Sequence, residues 1–330
     1  MTQDTSDLSL AVGIPTANNE STIRETLESL VDQTVQPDRI IVVDASTDET
    51  PDIVRAVNEE TIVPIELHKQ SSRGRGVGGA RQDIYELLEE DVLACLDTQK
   101  RVGSQWIAKR LKFHRECPEY DILSGTQSDV NRPAEGVKDT DFLRQSNCSI
   151  RKSALDRVNG WDPWMARGED WDIRIRLWTS GAQSYIKGDL SCEFIERDDP
   201  KSTFRKILNR PSSVEFLRKY GIWYIRLHPI HPLGDIISLC SLVVIPFSLL
   251  LGAVWSPLAL LLLLGPFLGS LAYLYMKATT FGSPRSLTDL RPFHAIIAVR
   301  FFILGYTMAR QIIKYSDHDW NYSGFSPKKL

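Results

Sequence analysis

Cysteine is scarce in this sequence, and no two cysteines lie close together. The five cysteines among 330 residues stand at positions 95, 117, 148, 192 and 240. An odd number of widely spaced cysteines excludes a disulfide framework, and the lack of any CxxC pair gives no indication of a structural zinc site. The first ten residues, MTQDTSDLSL, lack a basic stretch before an apolar core. We therefore expect no cleaved signal peptide and a front half that stays in the cytosol.

The sequence also lacks the common glycine motifs that bind phosphates. Residues 73–81, RGRGVGGAR, combine four glycines with Arg73, Arg75 and Arg81 ahead of a predicted helix. The stretch has neither the strand-adjacent GxGxxG spacing nor a GK[ST] ending. A dinucleotide fingerprint and a P-loop are both excluded, and a basic, glycine-rich segment remains.

Basic side chains are sparse in the first 200 residues. This part has 37 acidic and 24 basic side chains, whereas residues 201–330 have 5 acidic and 15 basic ones. A nucleic-acid binder needs a basic surface for the phosphate backbone, so the acidic front half argues against nucleic acid as a partner. Arginine outnumbers lysine 17 to 7 in this part, a composition compatible with adaptation to high salt.

Charge is absent from residues 236–276, a run of 41 residues. As a helix rising about 1.5 Å per residue, the run would measure about 60 Å, which is enough for two crossings of a hydrocarbon core of about 30 Å. Ser256 and Pro257 supply a natural turn between the two arms. We predict a transmembrane helical hairpin; a buried hairpin of a soluble protein is the alternative.

Segments beside this run suit a membrane surface. Residues 201–235 contain basic amphipathic helical patterns, which favour contact with anionic lipids. Residues 277–330 are expected to form a loop, a third membrane-associated helix at 293–315 and a tail. Polar residues follow one face of that third helix, so it either lies in the membrane plane or packs against the hairpin. The prediction is a multi-pass protein of the cell membrane, with residues 1–200 on the cytosolic side.

Apolar runs that end in polar loops recur through the first hundred residues. Predicted strands lie at 8–14, 39–44, 62–67 and 92–97. Amphipathic helical patterns, such as 21–33 and 78–90, lie between them. This alternation predicts an α/β domain over residues 1–200 with a doubly wound, mostly parallel sheet.

The first two strands deliver polar residues to their carboxyl ends, where ligands of open α/β sheets gather. Pro15 and Thr16 follow the first strand, where backbone N–H groups and a hydroxyl suit an anionic or nucleotide ligand;. Capping of the next helix is the alternative for this turn. Asp44 ends the second strand and could accept hydrogen bonds from a base or a ribose.

Asp97 ends the fourth strand, within the sequence LDTQKR. A divalent metal at such a strand end normally takes a second carboxylate two residues on, where this chain has Gln99. Glutamine offers a neutral carbonyl oxygen, so we expect a weakened metal site. Lys100 or Arg101 is the candidate for neutralising ligand charge in its place, and solvent-facing cations are the alternative.

Acidic and aromatic residues crowd together in residues 159–182, NGWDPWMARGEDWDIRIRLWTSGA. Glu169 and Asp170 stand at a predicted helix start between Trp164 and Trp171. Acids in a first helical turn can simply complement the helix dipole. Flat aromatic faces beside carboxylates also suit sugar rings, whose hydroxyls need acceptors while their C–H faces stack. We therefore predict a sugar-binding loop here.

Read in order, these segments resemble the family 2 glycosyltransferases, whose catalytic domain has the nucleotide-diphospho-sugar fold called GT-A. The matching stretches fall between about residues 8 and 195: IPTANNE, VVDASTDET, GVGGAR, LDTQ and GWDPWMARGEDWDIRIRLWTSG. With the predicted hairpin behind it, the chain is similar to membrane-attached members that glycosylate polyprenyl phosphates or lipid-linked oligosaccharides. The acidic, arginine-rich front half extends the resemblance to archaeal, including haloarchaeal, enzymes of dolichol-linked glycan assembly in protein N-glycosylation.

The resemblance implies an inverting glycosyltransferase that uses a nucleotide sugar, most readily a UDP-sugar, a lipid-linked acceptor and a divalent cation, Mg²⁺ or Mn²⁺. It places Asp170 as the general base. The implied binding residues are Pro15, Thr16, Glu20, Asp44, Arg81, Asp97, Trp164, Glu169 and Trp171, and the implied metal ligands are Asp97 and, weakly, Gln99. The chain departs from the family pattern at Ala17, Gln82, Gln99 and Glu196, the last standing where a metal-facing histidine is common.

Two other functions remain compatible with these segments. A non-catalytic membrane scaffold that binds nucleotide or glycan would tolerate Gln99, but it has no need of Asp170. A sugar-1-phosphate nucleotidyltransferase has a similar fold and would want a glycine-rich, basic loop after the first strand. The sequence PTANNES offers neither glycine nor cation there, which favours a hexosyl transferase.

Overall fold

The computed structural model describes residues 8–71, 76–127, 136–138, 145–165, 168–195, 219–220 and 230–255, and the single residues 258, 268 and 306. The chain divides into two compact units. The first comprises Met1–Arg197 with Asn321–Leu330, and the second comprises Asp198–Trp320. The predicted domain boundary near residue 200 stays a prediction.

A single sheet organises the first unit. Its nine strands within the described residues are β1 (Leu10–Thr16), β2 (Arg39–Asp44), β3 (Ile65–Lys69), β4 (Val92–Leu96), β5 (Lys100–Val102), β6 (Ile122–Gln127), β7 (Gly136–Lys138), β8 (Asn147–Arg151) and β9 (Ser184–Phe194). Their order is β3-β2-β1-β4-β8-β6-β9-β5, with β7 paired to β9. In the part of the unit that the structure describes there are six helices: α1 (Ile23–Val31), α2 (Thr50–Glu60), α3 (Gly76–Leu87), α4 (Trp106–Glu116), α5 (Lys152–Val158) and α6 (Glu169–Thr179).

The first four strands pair in parallel, as the alternation of strands and helices predicts. β1 lies between β2 and β4 and is parallel to both, and β2 is parallel to β3. β1 begins two residues later, and β3 three residues later, than the apolar runs that predict them. An α/β domain is therefore confirmed for this part of the chain.

The prediction of a mostly parallel sheet is wrong for the other half. β8 is antiparallel to both β4 and β6, while β5 and β7 are antiparallel to β9; only β6 pairs with β9 in parallel. The sheet is therefore mixed. β8 escapes a search for apolar runs because its sequence, NCSIR, buries the polar residues Asn147 and Ser149 completely.

Two apolar clusters cover the two faces of this sheet. One contains side chains of α1, α2 and α4, such as Leu27, Val54 and Trp106. The other contains side chains of α3, α5 and α6, such as Ile84, Leu155 and Ile173. Each of these helices turns its apolar stripe to the sheet, which leaves the carboxyl edge of the parallel strands for polar residues.

In the second unit the structure describes one long helix, α7 (Ile230–Val254), which contains Pro246. Among the described residues, none of the helices combines the length and apolar composition of a membrane span. Most of the predicted second arm of the hairpin, the third helix at 293–315 apart from Tyr306, and nearly all of 201–229 lie outside the described residues. The membrane hairpin stays a prediction.

Candidate active site

Three predicted site residues meet at one edge of the sheet. Thr16 and Asp44 are in register at the carboxyl ends of β1 and β2, and Asp97 directly follows β4. β2 and β4 lie on opposite sides of β1, so their connections leave the sheet in opposite directions there. In open α/β sheets this is the position of the ligand crevice.

Arg81 joins two of the predicted acids. Its guanidinium is buried on α3 and donates to Asp97 Oδ1 at 3.2 Å and to Glu169 Oε1 at 3.0 Å. It also donates to the side chain of Gln145. We call these four residues the Arg81 cluster. It connects the end of β4 to the first residue of α6, two positions 72 residues apart in the sequence.

The electrostatics of the Arg81 cluster favour charge on the arginine and disfavour it on Glu169. Burial alone would lower the pKa of Arg81, but the carboxylates of Asp97 and Glu169 raise it above the ordinary value. Burial raises the pKa of Glu169 to about 7, against the pull of Arg81 and with further help from Asp170 and Asp97. Glu169 therefore changes its charge near neutral pH, which is uncommon for a glutamate.

Gln145 is a site residue that the sequence motifs miss. It is 3% exposed, and its Oε1 accepts hydrogen bonds from Arg81 and, at 3.1 Å, from the indole of Trp161. Its Nε2 lies 3.5 Å from the Glu169 carbonyl oxygen. Gln145 stands alone just before a strand of polar sequence, so no periodicity or motif singles it out.

Three acids of the predicted sugar-binding loop, Glu169, Asp170 and Asp172, have three different environments. All lie in the first turn of α6, where they complement the helix dipole;. Asp172 is fully buried in an ion pair with Arg176, and Glu169 faces Arg81. Asp170 alone is exposed, and its Oδ1 accepts a hydrogen bond from the Trp171 N–H. It is the acid most accessible to an incoming acceptor hydroxyl.

The tryptophans of this loop also divide into core and surface. Trp161 is fully buried, and belongs to the core. Trp164 and Trp171 are half-buried, which leaves ring surface for a sugar. The Arg174 guanidinium lies 3.6 Å from the centre of the Trp171 ring and covers one of its faces. Trp171 therefore already stacks with one cation.

A glycine on α3 lets the loop approach the Arg81 cluster. A Cβ added at Gly78 would lie 2.2 Å from the Met165 carbonyl oxygen, which is impossible without a shift of the backbone. Arg81 follows Gly78 by three residues on the same buried stretch of the helix. The glycine-rich segment thus packs against the loop; Arg73 and Arg75 lie outside the described residues.

The turn after β1 is tied to the turn after β2. The backbone N–H of Asn18 donates to Ser46 Oγ at 2.7 Å, that of Asn19 to Thr50 Oγ1 at 2.9 Å, and that of Glu20 to Asp48 Oδ2 at 3.4 Å. We predicted that N–H groups of this turn bind an anion, but these three are engaged within the protein. Glu20 itself is exposed and accepts from the Glu49 N–H.

A cavity of about 750 Å³ lies at the ends of β2 and β3. Its lining includes Asp44, Ser46, Arg55, His68, Lys69 and Gln70. One Asp44 oxygen, Oδ1, accepts from both the N–H and the hydroxyl of Ser46. The volume and the mixture of polar and cationic groups suit a nucleotide-sized ligand.

The predicted metal ligands provide one charged oxygen donor group. Asp97 is 41% exposed at its side chain and already shares Oδ1 with Arg81. Gln99 is half-buried and contributes only a neutral amide. Among the described residues there is no group of three His, Cys, Asp or Glu side chains that could hold a metal ion, and Glu196 is outside them. These residues fit a cation that the phosphates of a ligand help to hold.

The two cations after Gln99 point to opposite sides of β5. Lys100 is buried, 3.4 Å from the Ser146 carbonyl oxygen and over the ring of Phe194. Arg101 is exposed and forms ion pairs with Glu25 and Glu193. Arg101 is therefore engaged away from Asp97, which removes it as a candidate for neutralising ligand charge.

Comparison with known proteins matches part of this domain to one family model. Residues 11–157 match the model described as Glycosyl transferase family 2. The probable glycosyltransferase YdaM of Bacillus subtilis (strain 168) is 25% identical over 198 residues, which are 52% of this chain and 47% of that protein. The chain spans less than half of the length of each curated relative it matches. All three curated relatives are described as glycosyl- or glucosyltransferases.

Solved structures share the fold. The mannosyltransferase PcManGT from Pyrobaculum calidifontis, in complex with GDP-Man and Mn²⁺, has a TM-score of 0.54 and 17% identity, covering 96% of this chain and 90% of that one. S. aureus TarS 1-349 in complex with UDP-GlcNAc has a TM-score of 0.51 and 18% identity, covering 59% and 61%. The expected GT-A-like α/β fold is therefore confirmed, with a mixed sheet.

Proposed function

We propose that the protein is an inverting glycosyltransferase that moves a sugar from a nucleotide sugar, first of all a UDP-sugar, to a lipid-linked acceptor at the cytosolic face of a membrane. One observation carries the proposal: Asp44, Asp97, Arg81 and Glu169 converge at the carboxyl edge of the parallel strands, beside a cavity of about 750 Å³. Similar structures solved with UDP-GlcNAc and GDP-Man support a nucleotide sugar as donor.

The donor is proposed to lie along the edge from β2 to β4. The cavity beside Asp44 takes the nucleoside, and the half of the donor that carries the sugar extends past Pro15 and Thr16 to Asp97. A divalent cation bound by Asp97, with Gln99 as a weak ligand, would supply positive charge to the leaving diphosphate. Arg81 donates a hydrogen bond to the Asp97 carboxylate and is proposed to orient it.

Asp170 is proposed to remove the proton from the acceptor hydroxyl. The hydroxyl oxygen then forms a bond to the anomeric carbon as the bond from that carbon to the diphosphate oxygen breaks, with inversion at the anomeric centre. A carboxylate in the exposed first turn of α6 can reach an acceptor that approaches from solvent or from a membrane surface;. Trp164 and Trp171 are proposed to stack on sugar rings.

The second unit supports a lipid acceptor. Residues 236–276 carry no charge, and α7 exposes large apolar side chains, among them Val243, Phe247 and Leu250. A surface of this kind is typical of contact with lipid or with another apolar partner. A polyprenyl or dolichol phosphate, or an oligosaccharide linked to one, is therefore the proposed acceptor, and an archaeal pathway of protein N-glycosylation its proposed setting.

The test is a transfer assay with the full chain in detergent. UDP-glucose, UDP-GlcNAc and GDP-mannose are offered with a short-chain polyprenyl phosphate, and mass spectrometry detects the glycosylated lipid. We expect product with one of these donors and none with Asp170→Asn. Absence of both product and acceptor-dependent nucleotide release for every donor would contradict the proposal.

A binding scaffold is the second candidate, because Gln99 and the single carboxylate of Asp97 weaken the metal site. A scaffold would bind UDP or GDP in calorimetry and yield no transfer with any acceptor. In that case the Asp170→Asn variant would bind membranes and nucleotides as the parent does. Neither protein would form a glycosylated product.

The membrane topology has its own test. Arg218, Lys219 and Arg226 precede the predicted hairpin and Lys277 and Arg285 follow it, so both ends obey the positive-inside rule;. A cysteine placed at position 256, in a variant without native cysteines, should react with an impermeant maleimide on intact cells. Labelling only after the membrane is broken would overturn the topology.

A further inference from the structure

Gln145 occupies the centre of the Arg81 cluster, although no motif includes it. Its Oε1 accepts from two donors on separate elements, the Arg81 guanidinium of α3 and the Trp161 indole of the loop before α6. Its Nε2 lies 3.5 Å from the first carbonyl oxygen of α6. Because the side chain is 3% exposed, solvent cannot replace these contacts;.

The contact with Gln145 determines where the Arg81 guanidinium can point. Nη1 is shared between Gln145 and Glu169, while Nη2 reaches Asp97. Nε of Arg81 has no hydrogen-bond partner within the described part of the chain. An arginine side chain has four rotatable bonds, so without a third fixed partner it can turn towards either carboxylate and leave the other.

We propose that Gln145 is a positioning residue of the transfer reaction, which holds Arg81 across Asp97 and Glu169 so that the donor end of β4 and the acceptor end of α6 keep a fixed separation. The inference rests on the proposed function, since donor and acceptor are assigned to these ends there. Gln145 acts through Arg81 and need not touch either substrate.

Gln33 offers a matched control. It is also a buried glutamine, 6% exposed, and its amide donates to the carbonyl oxygens of Ser29 and Gly103 while accepting from the Ile107 N–H. None of these groups belongs to the Arg81 cluster. Replacing either glutamine by methionine keeps the volume and removes the hydrogen bonds, so both variants should lose stability to a similar extent.

The experiment compares Gln145→Met, Gln145→Glu and Gln33→Met in the full chain in detergent. We expect Gln145→Met to lower kcat about 10-fold or more and to change KM for the donor by less than about 3-fold, because the nucleoside cavity beside Asp44 is unaltered. Gln145→Glu keeps an acceptor oxygen for Arg81 and Trp161 and should restore kcat to within about 3-fold of the parent. Gln33→Met should lower the melting temperature and leave kcat per folded molecule unchanged.

Crystal structures of the two Gln145 variants provide a readout that needs no turnover. In Gln145→Met we expect Arg81 to leave Asp97 or Glu169; in Gln145→Glu we expect it to contact both. If Arg81 stays across both acids in Gln145→Met, or if that variant keeps the parent kcat, Gln145 is only structural. An inactive parent enzyme would instead count against the proposed function, and the Arg81 position would still decide this inference.

Discussion

Two buried arginines pair with acids from the same helical turn, and they differ in how completely they are satisfied. Arg176 directs Nε and Nη2 to one oxygen of Asp172, at 2.9 and 2.6 Å, and Nη1 to the carbonyl oxygens of Val158 and Gly160. Arg81 divides its guanidinium among two acids and an amide, and Asp97 is 41% exposed. The Asp172–Arg176 pair is closed to ligands, whereas the Arg81 cluster faces the crevice.

This difference distinguishes an acid with a structural role from acids with candidate functional roles within one sequence motif. Glu169, Asp170 and Asp172 are three carboxylates within four residues of GEDWD, and their composition alone does not give their environments. Burial and partners make Asp172 a structural residue, leave Asp170 accessible, and raise the pKa of Glu169 to about 7. Incompletely neutralised charge at a sheet edge is typical of functional sites, while a fully paired ion pair is typical of a scaffold.

The largest effect is expected on the exposed acid beside the Arg81 cluster. Asp170→Asn removes the proposed proton acceptor with little change of shape, so kcat should fall by about 10²- to 10⁴-fold while donor binding changes only a few-fold. Steady-state kinetics and calorimetry with the nucleotide measure the two quantities. A variant that kept more than a tenth of the parent rate would show that Asp170 is not the base.

Removing one partner of the Asp172–Arg176 pair should lower the stability of the fold. Arg176→Met leaves Asp172 charged and buried without its Arg176 partner, which should lower the free energy of unfolding by about 3–5 kcal/mol. Chemical denaturation measures this loss. The double variant Asp172→Leu, Arg176→Met removes both charges and should recover most of the stability. If activity per folded molecule also collapsed in the double variant, the division between the two arginines would be wrong.

The raised pKa of Glu169 predicts that the free energy of unfolding depends on pH. Its pKa is about 7 in the fold against an ordinary value of 4.5, so the contribution of its protonated form is fully present below 4.5 and is lost as the pH rises through about 7;. The loss amounts to at most about 3 kcal/mol. Denaturation between pH 4.5 and 8 should show it, and Glu169→Gln should flatten that slope. The Asp172→Leu, Arg176→Met variant should keep the slope.

The smallest effect is expected on the affinity for a divalent cation. Gln99→Asp adds a second carboxylate near Asp97 and should tighten Mn²⁺ binding by about 10-fold in calorimetry with UDP present. The Asp172–Arg176 pair is closed, so its replacement should not change metal affinity. Equal affinities in Gln99→Asp and the parent would mean that position 99 does not face the cation.

The sequence predicts the parallel half of the fold because each of its strands is an apolar run. Val92–Leu96 and Leu10–Thr16 are buried almost throughout, and continuous apolar sequence is the mark of such strands;. β8 is buried as well, but Asn147 satisfies its polar atoms with Thr126, Leu190 and Trp106. A buried polar network has no periodic signature, so the antiparallel half cannot be predicted in this way.

The candidate site is predictable to the extent that strand ends define it. Thr16, Asp44 and Asp97 come from that rule, and the acidic, aromatic pattern of residues 159–182 gives Glu169 and Asp170. The resemblance to a known family adds Arg81 as a binding residue and the role of Asp170 as a base. Gln145 and the separate environments of the three acids depend on contacts between residues far apart in the sequence. The N–H groups of the turn after β1 are an error of the opposite kind. The local sequence predicts that they bind a ligand, but in the fold they donate to side chains of the turn after β2.

The paired turns after β1 and β2 also have a consequence for binding. Asn18, in a left-handed conformation with φ of 57°, accepts from the Thr47 N–H and donates to Ser46, so each turn holds the other in place. A nucleotide that enters the adjacent cavity meets walls that are already ordered. Its association should therefore lose little conformational entropy of the protein, and its on-rate should be governed by diffusion and charge instead of by loop closure.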